Sequence, residues 1–312
     1  MPLLYNKRVL AARIETNPGE AIALANANAG LDIFNAKIVP DVPFEARPAQ
    51  GAAFSPIRGA LGGWAGTATF ETELTPRSGS IYPAWAALFL PACGYKATAH
   101  VYAPCSEAPG TNVKTLTIGL YEDGMLKVLR GCAGSAVLTF PSGRPVRIAW
   151  TFKGIWVPPT DVGILTPTYP SVAPLRFASS QLDIGGWSPR VSQATLDLGN
   201  EVTLREDSLD PSGYGYACIT GRRITGSMDP ESALVDDQDA YGDWLDGAEA
   251  ALAMNLRTGP GSLDSGIAFD APALHVTKIV GGERNGLMIE SIDFQLDRGT
   301  DAGDDELVIS FS

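Results

Sequence analysis

The run Asp236-Asp-Gln-Asp-Ala-Tyr-Gly-Asp-Trp-Leu-Asp246 sets five carboxylates within eleven positions, the kind of oxygen-rich segment that can wrap a calcium ion. Counted from Asp237, the glycine that such a loop needs at its sixth position falls at Gly242. The fifth position, however, is Tyr241, and the twelfth is Ala248, where a bidentate glutamate has to close the cage. The spacing therefore rejects an EF-hand. Imidazole chemistry has only His100 and His275 to draw on, one in each half and each in an apparent strand. A phosphate-binding glycine loop with its lysine, a nucleophile elbow and a His-Glu-x-x-His pair are all missing. The 35 acidic residues offer many spatial pairings for glycoside cleavage, but no aromatic-lined groove is evident beside any of them. Cys93, Cys105, Cys132 and Cys218 are scattered without Cys-x-x-Cys spacing and read as free, buried or partly buried thiols. The expectation is a protein with no catalytic residues, no cofactor and no metal.

Charge is the more informative chemistry. The net formal charge is −12, unevenly spread: residues 1–156 hold 14 Lys and Arg against 10 Asp and Glu (+4), and the remainder 9 against 25 (−16). Phosphate binding needs clustered cations, so a net acidic chain grips nucleic acid poorly, although it suits a passage to which nucleic acid does not adhere. A basic unit beside an acidic one also suits contacts within and between chains. No apolar run approaches 18 residues and the first twenty residues lack a hydrophobic cleavage signal, which predicts neither a membrane helix nor a signal peptide, and synthesis in a cytoplasm.

Three short signatures occur twice and in the same order. Leu31-Asp-Ile-Phe-Asn35 returns as Leu196-Asp-Leu-Gly-Asn200, the segment 66–74 (GTATFETEL) as 226–234 (GSMDPESAL), and Tyr82-Pro-Ala-Trp85 as Tyr241-Gly-Asp-Trp244, at offsets of 165, 160 and 159 residues. Together they suggest two copies of one domain. Five prolines in 157–174 mark a stiff connector, giving a division into 1–156, 157–174 and 175–312.

Periodicity reads mainly as strands. Val146, Ile148, Trp150 and Phe152 share one face, with Arg147, Thr151 and Lys153 on the other; Leu116, Ile118 and Leu120 lead through the turn Glu122-Asp-Gly124 into Met125–Arg130, and Cys132–Phe140 continues the meander. In the second half Ile292, Phe294 and Leu296 alternate with Ser291, Asp293, Gln295 and Asp297 after a turn at 281–286. The hairpin at 122–124 has no equally clear second copy. Each half also carries one helical stripe: Tyr82, Trp85, Leu88 and Phe89, ended by Pro91, and Tyr241, Trp244, Leu245, Ala248 and Leu252, capped near Asp239. The predicted fold is mainly β, two tandem sandwich or open-barrel domains, each with one flanking helix.

Two long irregular stretches, 40–58 and 207–222, occupy matching places. The first contains Pro43, Phe44, Arg47 and Phe54, the second Asp210, Tyr214 and Tyr216, and both compositions favour an extended arm that docks onto something.

The segments 115–156, 194–208 and 219–231 resemble the tail tube proteins of long-tailed bacteriophages, in the two-domain form, and the likeness covers most of the chain. The resemblance implies a structural virion protein: trimeric rings of hexamer-like symmetry, stacked into a hollow tail tube through which genomic DNA passes without specific binding. It implies arms extended to the next ring, and a tape-measure protein, a tail terminator and distal tail or tip proteins as partners. Excess acid suits the lumen, and Glu71, Glu73, Asp229 and Glu231 are the expected lumen-facing carboxylates. A tail adaptor or the tube subunit of an injection device is the nearest alternative. A carbohydrate-binding or glycoside-cleaving sandwich explains the strands but not the helix-bearing repeat.

Overall fold

The computed structural model describes residues 3–48, 50–51, 55–178, 180–257 and 266–312. The first half contributes β1 (Arg8–Ile14), β2 (Ile33–Asp41), β3 (Phe44–Glu45), β4 (Ala60–Leu61), β5 (Ala65–Glu73), α1 (Leu90–Ala92), β6 (Tyr95–Thr98), β7 (Val101–Pro104), β8 (Leu116–Glu122), β9 (Met125–Pro141) and β10 (Arg147–Asp161). The second contributes β11 (Gln181–Ile184), β12 (Val191–Asp197), β13 (Asn200–Glu206), β14 (Tyr214–Arg222), β15 (Thr225–Pro230), α2 (Ala240–Asp246), β16 (Glu249–Arg257), β17 (Gly266–Arg284), β18 (Leu287–Asp297) and β19 (Val308–Phe311). The protein is mainly β, as its alternation predicts.

Pairing follows the same order in each half. In the first, β1–β8–β9–β10–β5–β2 are successive antiparallel neighbours; in the second, β11–β16–β17–β18–β15–β12 are. The far arm of β9 pairs with β12 and fuses the halves into one sheet, with Leu196 opposite Leu138. The core is continuous across this seam, where the Phe140 and Phe269 rings meet edge to face at 5.5 Å. Under the first half, Phe70, Phe89, Trp150 and Phe152 form an aromatic cluster, and Trp150 Nε1 donates to Thr72 Oγ1 at 2.9 Å, so the indole is buried without an orphaned donor.

Two of the hairpins close on the same turn chemistry. Asp123 (φ +42) and Gly124 (φ +111) join β8 to β9, and Asn285 (φ +53) and Gly286 (φ +83) join β17 to β18, matching the twist of the strands they connect. The expected turn at 281–286 is thus only two residues long, because β17 runs to Arg284.

The structure corrects several expectations. The hairpin at 122–124 does have a counterpart, since β16 and β17 pair antiparallel at the same place in the order; its connector, 258–265, lies outside the described residues. The Leu31–Asn35 match is not one of position: Gly226 faces Leu196 across the ladder, whereas Gly66 faces Pro40. Asn35 instead sits at a bulge in β2 with φ +54, and Asn200 opens β13. Ladder register, which a five-residue likeness cannot see, decides equivalence. Residues 157–161 of the expected connector continue β10 and pair with β9.

The helices differ as well. Pro91 does not end the first one. The backbone widens to a π-helical turn over Trp85–Phe89 and then enters α1, where Pro91 occupies the first turn and no N–H is required of it; Gly94 (φ +78) follows. Tyr82 precedes the helix, half-buried, and its hydroxyl bonds Ala99 O and His100 Nδ1. Trp85 is buried and donates to Thr75 O at 3.0 Å. In the second half Asp239 caps α2 through Gly242 N, but the helix stops at Gly247 (φ +65), so Ala248 lies beyond it and Leu252 belongs to β16. Leu245 and Tyr241 are exposed, and Trp244 is only partly buried against the core.

Candidate functional site

Eight strands, in the order β2–β5–β10–β9–β12–β15–β18–β17, form one continuous run of the sheet. Because side chains alternate, the residues opposite the buried ones all stand on one face. In β5 these are Thr67, Thr69, Glu71 and Glu73; in β10, Arg147, Ala149, Thr151 and Lys153; in β15, Thr225, Ser227 and Asp229; in β18, Ser291, Asp293, Gln295 and Asp297. One row runs in register across seven strands: Glu73, Arg147, Thr139, Thr195, Ser227, Asp293 and Lys278. Its middle is short hydroxyl side chains, with Thr195 Oγ1 and Ser227 Oγ at 2.7 Å. The face is mostly polar, and its cations, Lys37, Lys153 and Arg147 in the first half and Lys278 at the far end, leave the hydroxyl-rich middle without a positive charge.

The four expected acids all lie on this face or at its rim, in two pairs, and one arginine holds each pair. Arg147 reaches Glu71 at 3.2 Å and Glu73 at 4.0 Å, and its guanidinium lies over the Phe34 ring. Arg284 reaches Asp229 at 2.6 Å and Glu231 at 3.6 Å. These partly solvated ion pairs are worth about 0–1 kcal/mol each, and each leaves one net negative charge. Asp229 is held most firmly. Burial pushes its carboxyl up, but hydrogen bonds from the Ser192 hydroxyl and from the backbone N–H groups of Gln193 and Ser192, with Arg284 beside it, hold it below the usual carboxylate range.

Among the described residues, the acids on this face that no cation pairs are Asp197, Asp293 and Asp297 in the second half and Asp41, at the end of β2, in the first. The alternation of 291–297 already turned Asp293 and Asp297 outward; what sequence could not supply was which carboxylates would be neutralised. The first half's face also presents Lys37 and Lys153 beside the Arg147 pair.

Two strand edges end this run. Among the described residues, β2 pairs only with β5, and the far arm of β17, from Val276 to Arg284, pairs only with β18. Both therefore offer free backbone donors and acceptors.

The arms take different places. Residues 207–222 do not form an irregular loop: β13 and β14 make a hairpin folded over β9 and β10 of the first half. Asp210 accepts from Arg130 at 2.8 and 2.7 Å, and Tyr214 and Tyr216 are half-buried, with Tyr216 against Gly131 and under Arg205. In the first arm Pro43 O accepts from Gly62 N at 2.8 Å, Phe44 and Arg47 are exposed, and Phe54 lies outside the described residues.

A groove of about 740 Å³ opens beside Tyr82, Trp85 and Tyr169, with Asp32 and Glu73 as its only titratable carboxylates. Among the described residues no three His, Cys, Asp or Glu gather as metal ligands, and no helix is long and apolar enough to cross a membrane. The four cysteines are free thiols, three buried; burial pushes Cys93 and Cys132 far above the ordinary thiol range. The acidic run at 236–246 folds as the capped helix α2.

No curated protein matches the chain. The profile of a family described as phage tail tube protein does, over residues 6–296, which takes in both sheet halves, the seam and the arms. On that match, and with a mainly β fold to accompany it, the chain belongs to the phage tail tube protein family, structural components of the virion tail.

Proposed function

We propose that the chain is a duplicated tube domain that closes into rings of three, and that the rings stack into the hollow tail tube through which DNA leaves the particle. The observation that carries this reading is the pair of open edges. Within the chain the far arm of β9 receives β12, joining one half to the next. At the outer ends, the far arm of β17 and the strand β2 occupy the corresponding places and lack a second partner among the described residues. Pairing β17 of one copy with β2 of the next repeats the internal seam between chains and, once closed, leaves no free edge.

Barrel geometry favours three copies over two. With strands about 4.8 Å apart and tilted about 40°, eight strands from each of three chains give a ring roughly 50 Å across at the backbone. Two chains give roughly 32 Å, which side chains on both walls narrow to about the bore of a porin. Only the larger ring passes a duplex freely.

The polar face then lines the lumen. Its hydroxyl-rich middle carries no cation to grip DNA, and Asp197, Asp293 and Asp297 in the second half repel phosphate at short range, within a Debye length of about 8–10 Å, opposite the few lysines of the first half. No residue acts as a catalyst in this role. By the same reading the partners are other copies of the chain and the proteins that set tube length and end it.

Negative-stain microscopy of concentrated protein tests the assembly, with three-fold rings or axially repeating hollow tubes as the expected result. Hydrogen exchange tests the edges: alternate amides of β2 and of 276–284 exchange quickly in the monomer and become protected on assembly. A protein that stays monomeric at every salt and protein concentration overturns the proposal.

A further inference from the structure

The second arm sits in a built seat at the end of the first helix. Gly19 (φ +86) and Gly131 (φ +60) let it approach; a Cβ on Gly19 would stand 2.1 Å from Gly215 O, and one on Gly131 3.0 Å from Tyr216 Cα. Arg130 clamps Asp210 and also donates to Gly19 O. Ile219 rests on Gly94, the glycine that closes the helix, and Asn200 Nδ2 donates at 2.8 Å to Cys93 O, one of that helix's last carbonyls. Thus an arm leaving one sheet unit covers the helix end of the unit before it.

The second half has the corresponding helix end, but among the described residues no arm lies over it. Helix α2 closes on Gly247, again left-handed, and buries no residue; Leu245 is 81% exposed and Tyr241 43%. Asp243, Asp246 and Glu249 are exposed around them. The first arm is in the complementary condition. It leaves between β2 and β5 as the second leaves between β12 and β15, and Phe44 and Leu61 are 68% and 69% exposed. Arg47 and Arg58 are exposed and join no ion pair among the described residues. The arm cannot reach α2 of its own chain by the route the second arm takes, because β2 and β17 are at opposite ends of the eight-strand run.

We infer that the first arm docks in trans, within one ring, on the exposed face of α2 of the neighbouring copy whose β17 pairs with its β2. Phe44 and Leu61 cover Tyr241 and Leu245, while Arg47 and Arg58 meet Asp246 and Glu249. Opposite charge selects this neighbour and speeds the encounter. The inference rests on the ring reading above and adds the surface that orients each copy on the next.

A charge swap tests it. R47E/R58E and D246R/E249R each alter exposed side chains, so monomer thermal unfolding should stay at the wild-type value, and an arginine in the last turn of α2 suits the helix dipole. Each variant should raise the critical concentration for ring formation about tenfold or more, and one chain carrying all four changes should return to within about threefold of wild type. Rings that form normally from either two-site variant overturn the docking and leave the ring reading intact. Normal single rings that fail to stack also overturn it, because the arm would then act between rings. Wild-type protein that never forms rings overturns both.

Discussion

Replacing Glu15 by glutamine should loosen the seat of the second arm without touching the arm. The Glu15 carboxylate is 4% exposed and accepts four hydrogen bonds. Oε1 takes Thr117 Oγ1 at 2.8 Å and Gly131 N at 2.7 Å; Oε2 takes Thr115 Oγ1 at 2.7 Å and Gly19 N at 2.8 Å. In the glutamine variant one of these oxygens becomes an NH2 group. A threonine hydroxyl can rotate to accept from it, but a backbone N–H cannot, so either amide orientation leaves Gly131 or Gly19 with a buried donor facing a donor. The stranded N–H costs about 1–3 kcal/mol, and the remaining bonds lose charge assistance, for a total of about 3 kcal/mol. In a chain of this length that is a fall in Tm of roughly 5 °C. Calorimetry reads the fall, and hydrogen exchange should show faster opening at Gly19, Gly131 and residues 214–222. A change in Tm under about 1 °C with those amides still protected would refute the reasoning, because four-fold acceptance at a buried carboxylate could not then be holding the seat.

Four other outcomes follow from the charges and thiols. Asp229 has a depressed folded pKa, so its contribution is complete above the unfolded value and is lost as pH falls through the folded one; Asp229→Asn should lower stability at pH 7 and flatten the acid side of the profile. Asp270 has the opposite sign, partial desolvation raising its carboxyl although the residue is exposed, so Asp270→Asn should raise Tm at pH 7 only slightly, and both signs are checked by thermal melts from pH 2 to 7. Tubes carrying Asp197→Lys, Asp293→Lys and Asp297→Lys should retain duplex DNA at low salt and release it toward about 0.2 M, whereas wild-type tubes retain none in a pelleting assay. A thiol reagent should modify Cys218 in the native protein and reach Cys93, Cys105 and Cys132 only on unfolding, as mass spectrometry under native and denaturing conditions would show.

The parts of this fold that sequence made legible are those governed by local rules. Strict alternation announced the strand carrying Ile148, Trp150 and Phe152, and the Asp-Gly pair announced the hairpin at 122–124. The outward direction of Asp293 and Asp297 came with the same alternation. Where two periods compete, sequence misleads: Leu252 extends the stripe of α2 at helical spacing, yet Leu252, Met254 and Leu256 are all buried at a spacing of two, and left-handed Gly247 settles the matter in favour of a strand. Non-local facts were invisible. Nothing near 207–222 shows that this segment forms half of a hairpin seated on Gly19 and Gly131, because the clamp, Arg130 to Asp210, joins residues 80 positions apart. The arginines that neutralise Glu71 and Asp229 were hidden in the same way, since their pairing depends on ladder register and, for Arg284, on how far β17 runs.

The differences between the halves matter more for assembly than their likeness. In the proposed ring, six separate seams would have to form if both halves were identical and unlinked, each carrying its own loss of rotational freedom. Joining β9 to β12 inside one chain makes every second seam intramolecular, where effective concentration replaces association. The covalent seam has its arm already seated, its helix already buried and its edges already paired. The free seam retains an open β2, an open far arm of β17, an uncovered α2 and an exposed Phe44. These four unpartnered features are divided between the two ends of one run of strands, so a copy added at one end satisfies only two of a chain's four, and closure alone satisfies all four in every copy. An isolated copy satisfies none of them. Assembly by this route should therefore be cooperative, with few partial rings between monomer and closed ring. An abundance of stable open dimers in sedimentation velocity would contradict that coupling.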